Sequence, residues 1–396
     1  MTAPTPLVFP DRVSPDYTGG GLVNLIGSCT ASRGGRPLHP TLDALRPADV
    51  AGARNVLLIV IDGLGYNYLL TKGAGGALAG RLHSRMTSVF PSTTASAITT
   101  TFTGLAPAEH GLTGWFTWFA EAKATAAALP FKPRGAGPSL EECGIQPAML
   151  YRGPSLFDTL DTEAVVVSYR PIIDSIYNRH FCGSATRLAY DDLAGFVSQT
   201  EAAVKSSPNR KFVYAYYPDF DTCSHRFGVG SAETGKLFAA LDEAFARLLQ
   251  KLSGTDTAVL LTADHGFLDC PADKALDISD CPVLAAMLSH PLTGERRVAF
   301  CHVAQGKQAE FSARASEWLE GKADVLPGCT PLKEGWLGGG DLHPHIADRT
   351  GDFVLMMRDT YTVKDWLPGE SRHLHIGNHG GMSPDEMYIP LVFAKA

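Results

Sequence analysis

Four apolar runs mark the first two thirds of the chain: "NVLLIVIDG" at 55–63, "AVVVSYR" at 164–170, "KFVYAYYPD" at 211–219 and "TAVLLTADHG" at 257–266. Runs of this length, rich in β-branched residues and without polar alternation, predict strands covered on both faces, as in a parallel sheet. Between the third and fourth, residues 231–254 change period. Leu237, Leu241, Phe245, Leu248, Leu249 and Leu252 recur at helical spacing, and Gly254 is a stop signal. Strand, helix and strand in that order make a βαβ unit. The expectation is an α/β fold with a mostly parallel sheet flanked by helices.

After Gly266 the pattern loosens. Residues 271–372 carry short strand-like runs ("RRVAFCHVA", "DFVLMMRD", "TYTVKDW"), one helical stretch ("AEFSARASEWLEG") and a Gly/Pro-rich segment. This predicts a small α+β lobe at 271–372, inserted into a core made of 1–270 and 373–396. The core closes with a strand in "MYIPLVF" near the C-terminus. Neither an internal repeat nor a low-complexity segment interrupts this plan.

Composition narrows the function classes. The 396 residues are 45% hydrophobic and 19% charged, which is a globular composition. A net charge of −7 without a basic run gives no surface for duplex nucleic acid. No segment reaches the length of a membrane span. The proline-broken start "MTAPTPLVFPDRVSPDYTGG" lacks the form of a signal peptide. A cytoplasmic protein is expected, with its eight scattered cysteines as thiols.

The polar residues at the strand ends suggest chemistry. The first run ends in Asp62 and a glycine. The third continues into "DFDTCSH", with Asp221 and His225 four apart. The fourth ends in Asp264, His265 and a glycine, and "GNHGG" downstream holds His379. In open α/β sheets, ligands bind outside the carboxyl ends of the strands. A carboxylate there must be exposed, paired or metal-bound, because burying it bare is costly. Asp with imidazole suits zinc, manganese or iron. At i and i+4, Asp221 and His225 share one helical face.

The hydroxyl-rich stretch "SVFPSTTASAITTTFTG" at 88–104 predicts a helix from about Thr94 to Gly104, with Ser92 or Thr93 as N-cap. Its start would present free N–H groups, a place suited to phosphate. Threonine is a poor nucleophile unless a base or metal lowers its pKa. The plain alternative is a capped helix with solvated threonines.

Together, "VLLIVIDGLG", "FPSTTASAITTTFTGLAPAEHGLTGW", "YPDFDTCSHRFG", "LTADHG" and "GNHGG" resemble the type I phosphodiesterase/nucleotide pyrophosphatase family of the alkaline phosphatase superfamily. The motifs occur in family order and span most of the chain; 271–372 carries none. The resemblance implies an alkaline-phosphatase-like core and two divalent metal ions, zinc first, with manganese or iron as alternatives. One ion would be held by Asp62, Thr94, Asp264 and His265, the other by Asp221, His225 and His379. It implies Thr94 as the nucleophile, ten residues before the glycine of Thr103-Gly104. The implied substrate is a small phosphate ester, a nucleotide among the candidates. Hydrolysis of phosphonates or phosphomonoesters is the alternative within the class, and a metal-binding sensor without turnover the alternative outside it.

One position departs from the family. An asparagine about 21 residues after the nucleophile is replaced by Trp115. Thr93 or the Trp115 indole N–H could donate to the phosphate in its place. Trp115, Phe116 and Trp118 could stack on a base or aryl group, or pack within the lobe. No arginine near the motifs stands out as a phosphate clamp; Arg170 and Arg226 could reach only if the fold brings them in. "CTASR" at Cys29 resembles a sulfatase signature but precedes Asp62, so it reads as chance. His375 is a candidate to orient a ligand. His343, His345 and His373 read as surface or lobe residues, His110 as a turn residue, and Asp219 as a weaker ligand candidate than Asp221.

Overall fold

The computed structural model describes residues 11–396. The first ten residues, half of the stretch read above as lacking a signal peptide, lie outside it. Among the described residues no helix is long and apolar enough to cross a membrane.

The four apolar runs form Asn55–Ile61, Glu163–Tyr169, Lys211–Tyr217 and Thr257–Thr262. The first, third and fourth are buried at every position. This is why they lack polar alternation: helices cover both faces of the sheet. Asn55–Ile61 lies between Lys211–Tyr217 and Thr257–Thr262, parallel to both. Glu163–Tyr169 and Thr186–Tyr190 extend the parallel side. The C-terminal run forms Tyr388–Lys395, which pairs antiparallel with Thr257–Thr262 and with the edge strand Leu82–Thr87. The result is one seven-stranded, mostly parallel sheet.

The predicted helix spans Ala232–Lys251, with the Ser231 side chain accepting from the Thr234 N–H as N-cap. Its buried stripe runs through Thr234, Phe238, Leu241, Phe245 and Leu248. Phe238 lies within the stripe, while the neighbouring Leu237 is half-buried and packs at its edge, because the stripe advances at 3.6 residues per turn. Each such Phe or Leu contributes about 1.5–3 kcal/mol through burial, in one cluster with the sheet residues.

The lobe differs from the expected division. Its seven-stranded sheet runs in the order Ala323–Pro327, Phe353–Met357, Val298–Cys301, Thr293–Gly294, Phe116–Phe119, Ala124–Ala127, Lys132–Pro133. The last three strands come from before residue 270, so the lobe sheet draws on two separate stretches. They join where Gly294 pairs with Phe116. The backbones of Gly114 and Gly294 touch there, and a Cβ on Gly114 would lie 2.5 Å from the Gly294 Cα. Glycine at both positions permits that approach. The helix Gln308–Trp318 packs Phe311 and Ala315 against Cys301, Leu355 and Met357.

Arg134 ties the lobe edge to residues 365–370. Its buried guanidinium lies 2.7 Å from Asp365 and 2.9 Å from Glu370. Burial works against the charge, but Glu370 and Asp365 more than offset this and hold the pKa above the ordinary arginine value. Arg134→Ala would strand both carboxylates and is expected to destabilise the protein by about 3–5 kcal/mol. Denaturant melts check this; a loss below about 1 kcal/mol would show that the pair does not hold the lobe.

Candidate metal centre and active site

The hydroxyl-rich stretch forms the helix Thr94–Thr103, ended by Gly104 in the left-handed conformation at φ 74°. All ten residues are buried, so the picture of solvated threonines does not hold. The threonines are accommodated by bonding inward: Thr99 donates to Ala95 O at 2.7 Å and Thr103 to Thr99 O at 2.7 Å. Thr101 donates to Ile98 O at 2.8 Å. Thr94 is different. Its hydroxyl lies 3.2 Å from His265 Nε2.

Thr93 occupies the N-cap position, but its side chain does not cap. It donates instead to Glu295 Oε1 at 2.6 Å. The first turn of the helix therefore has no side-chain cap competing for its N–H groups.

The strand ends deliver the acidic residues as the topology requires. Asp62 follows Asn55–Ile61, and Asp264 lies two residues past Thr257–Thr262. Asp264 Oδ1 accepts from Gly63 N and His265 N, each at 3.0 Å. Gly63 sits at φ +77°, and a Cβ there would meet the Phe267 ring at 2.4 Å, so the Asp62 turn requires glycine. The Tyr216 hydroxyl donates to Asp62 Oδ2. Asp221 and His225 occupy one short helix, Asp219–Phe227, with His225 Nε2 3.4 Å from Asp221 Oδ1. His379 enters from the chain's return, with Nε2 3.2 Å from His225 Nε2 and 3.7 Å from Asp221 Oδ1.

This donor set fits divalent cations. Each of the three histidines faces a backbone carbonyl through Nδ1: His225 with Gly377 O at 2.9 Å, His265 with Gly266 O at 3.1 Å, His379 with Ser92 O at 3.2 Å. A carbonyl only accepts, so Nδ1 carries a proton and Nε2 is the atom turned into the site. Burial lowers His225 to about 4. Burial, then His265 and His225, lower His379 well below the ordinary value. Both are thus held as neutral, ligand-competent imidazoles.

The carboxylates make the complementary case. Asp62 Oδ1, Asp221 Oδ1 and Asp264 Oδ2 are buried oxygens without a hydrogen-bond partner. Burial, then Asp62, raises Asp264 to about 7. Burial, then Asp62 and Asp264, raises Asp221 well above the carboxylate range. Spacing agrees as well. Donors about 2.0–2.1 Å from one tetrahedral ion lie about 3.3 Å apart. His265 Nε2 is 3.3 Å from Asp62 Oδ1 and 3.5 Å from Asp264 Oδ2. Two trios meet the condition for holding an ion: Asp62, Asp264 and His265, and Asp221, His265 and His379. His265 is common to both, which the resemblance does not imply, while His225 borders the second.

Several residues beside this centre escaped the sequence. A cavity of about 460 Å³ is lined by Thr93, Thr94, Asp221, His225 and His379, and also by Glu295, Arg296 and Lys364. Glu295 also accepts from the Trp115 backbone N–H at 2.7 Å. Burial raises its pKa. No arginine near the motifs stands out as a clamp, and the arginines that line the cavity, Arg134 and Arg296, come from outside them. Arg170 instead pairs with Asp191 at 2.6 Å in an exposed ion pair, and Arg226 stacks on Phe227. The charged triplet 295–297 just before the apolar run of Val298–Cys301 was the one available signal, and it carries no spacing rule.

Trp115 and Phe116 line the cavity, whereas Trp118 stacks on His290 of the lobe at 3.7 Å. Ring centroids place His375 4.2 Å from His225, and it lines the cavity together with His373. The expectation of His373 and His343 as plain surface or lobe residues is corrected in part. His343 is buried against Gly111 and Arg349, and His110 is fully buried at the end of the short helix Pro107–His110. Cys29 is buried in the helix Leu22–Ser32, its thiol pushed up to about 12 by burial.

A family model, type I phosphodiesterase/nucleotide pyrophosphatase, matches residues 56–382. No curated protein sequence matches. Among solved structures, murine ectonucleotide pyrophosphatase/phosphodiesterase 5 is 17% identical with TM-score 0.62, over 85% of this chain and 87% of that one. Phosphonoacetate hydrolase from Sinorhizobium meliloti 1021, in complex with phosphonoformate, is 18% identical with TM-score 0.62, over 86% and 90%. At such identity these likenesses establish the fold.

Proposed function

Since the chain belongs to the type I phosphodiesterase/nucleotide pyrophosphatase family, a metal-dependent family of phosphoester hydrolases, we propose that it hydrolyses phosphodiester or pyrophosphate bonds with Thr94 as nucleophile and two divalent ions. The observation that carries this reading is the Thr94 hydroxyl, set 3.2 Å from His265 Nε2 at an uncapped helix start. Asp62, Thr94, Asp264 and His265 would hold one ion and Asp221, His225 and His379 the other, with zinc favoured by the mixture of imidazole and carboxylate donors. When bound, the ions lower the pKa of the attacking hydroxyl and offset charge on the leaving oxygen.

The chain's own residues supply position. Thr94 Oγ1 gives up its proton and bonds to phosphorus as the ester oxygen departs with its electron pair and takes up a proton. Water then breaks the phosphothreonine bond and returns the proton that Thr94 lost, so one water is consumed overall. The N–H groups of the first helical turn receive the phosphoryl oxygens, and Glu295 fixes Thr93 and Trp115 beside them. A solved neighbour supports the threonine assignment: the murine protein in its inactive form, with one threonine changed to alanine, is in complex with AMP. A phosphonate presents the same tetrahedral phosphorus and is the second reading, favoured by the phosphonoacetate hydrolase neighbour.

A metal-supplemented screen of aryl phosphodiesters, the matching monoesters and phosphonates tests the reading. Trp115 is exposed at the cavity wall and can cover the second substituent of a diester, with ring stacking adding about 1–3 kcal/mol. The diester is expected to exceed the monoester in kcat/KM by about tenfold, or ~1.4 kcal/mol in barrier. Trp115→Ala should narrow that ratio through the diester alone. Equal or faster monoester turnover would refute the diester assignment.

A further inference from the structure

Every charged group on the cavity wall can be matched to a partner except two. Asp365 is taken by Arg134 at 2.7 Å and by the Leu292 N–H at 2.9 Å. Glu370, just outside the cavity lining, is likewise taken by Arg134 at 2.9 and 3.1 Å. Glu295 is taken by the Thr93 hydroxyl and the Trp115 N–H. Asp221 belongs to the candidate metal centre. Arg296 and Lys364 remain. Arg296 spends one Nη on the His373 carbonyl at 3.0 Å, and neither side chain forms an ion pair among the described residues. They flank one indole: Lys364 Nζ lies 4.1 Å and the Arg296 guanidinium 5.6 Å from the centroid of Trp366.

Two half-buried cations share one ring, and the nearby carboxylates Glu295, Asp365 and Glu370 act on them only through space, each being hydrogen-bonded elsewhere. Burial, then Arg296, lowers Lys364 to about 8, the direction expected where positive charge is crowded. Burial likewise lowers Arg296. An anion received here would relieve both, and the arginine fork suits a planar carboxylate or a phosphate face. Both residues stand on the lobe: Arg296 between Thr293–Gly294 and Val298–Cys301, Lys364 at the end of Thr362–Lys364. They line the same cavity as Thr94.

We propose that Arg296 and Lys364 form a second anion subsite, and that the substrate is a phosphoryl compound carrying a further carboxylate or phosphate group bound there. This rests on the phosphoryl-hydrolase reading and adds the class of substrate to it. The lobe thereby becomes a specificity element, selecting on charge at a distance from the reacting phosphorus.

Calorimetric titration of the metal-loaded protein with three non-hydrolysable probes tests the subsite. Ethylphosphonate carries the phosphoryl group alone, 3-phosphonopropionate adds a carboxylate, and ethane-1,2-bisphosphonate adds a phosphonate. Metal content measured after each titration controls for chelation. At least one two-anion probe is expected to bind about tenfold or more tighter than ethylphosphonate, equal to about 1.4 kcal/mol; the tighter one identifies the second group as carboxylate or phosphate. The double variant Arg296→Gln/Lys364→Met should lose that advantage while ethylphosphonate affinity stays within about threefold. Lys364→Met alone should reduce the advantage at least about threefold, and Lys364→Arg should keep it. Equal affinity for all three probes, or an advantage that survives loss of both cations, would overturn the subsite and leave the phosphoryl reading intact. Binding of none of the probes, together with no ester turnover, would overturn both.

Discussion

Thr94→Ala is expected to fold normally and to lose turnover by about 10⁴-fold or more, ~5.4 kcal/mol in barrier. The fold should survive because the hydroxyl's partners, His265 Nε2 and Asp62, are site residues, and alanine is a good helix former at the first helical position. Turnover should not survive, because no neighbouring hydroxyl can take over. Ser96 and Thr99 are committed to backbone carbonyls, and Thr93 is held by Glu295. Thr93→Ala is accordingly expected to cost tenfold or less, about 1.4 kcal/mol. Steady-state kinetics with an aryl phosphodiester, alongside circular dichroism, compares the two. A dead Thr93→Ala with an active Thr94→Ala would move the nucleophile by one residue. Cys29→Ala should leave kcat unchanged, because that thiol is packed inside a helix; its inactivation would instead support a sulfatase-type reaction.

The second large effect concerns the ions. Protein purified without chelator is expected to contain about two divalent ions per chain. His379→Ala and Asp221→Ala should each bring this towards one. His265→Ala should likewise bring this towards one, because its single Nε2 lone pair can serve only one ion, with Asp62 and Asp264 beside it. Chelation should abolish turnover and lower the melting temperature, since an ion at a hundredfold excess over its Kd stabilises the folded state by about 2.7 kcal/mol. Elemental analysis and thermal melts give the readout. Full occupancy in the His379 and Asp221 variants would remove them from the ligand set. Full occupancy in His265→Ala would remove it from the ligand set as well.

What the sequence could determine was whatever is local to a strand end. Asp62 and Asp264 follow the apolar runs directly, and a parallel sheet brings the carboxyl ends of neighbouring strands to one edge, so their convergence needs only strand direction. Asp221 and His225 share a helical turn, so their pairing needs only the α-helical period. The helix from Thr94 to Gly104 was legible from its glycine stop and its polar start.

The rest is set by contacts between residues distant along the chain. Tyr216 reaches Asp62 because two strands pair in register, Ile61 opposite Tyr217. Glu295, Arg296 and Lys364 face the cavity because Gly294 pairs with Phe116, nearly the whole βαβ region away in sequence. That single junction aims the lobe at Thr94, and it draws residues 116–133 into a sheet expected from 271–372 alone. Periodicity reports which face of an element is buried. It says nothing about which distant segment that face meets, and the lobe side chains that line the cavity depend on the latter.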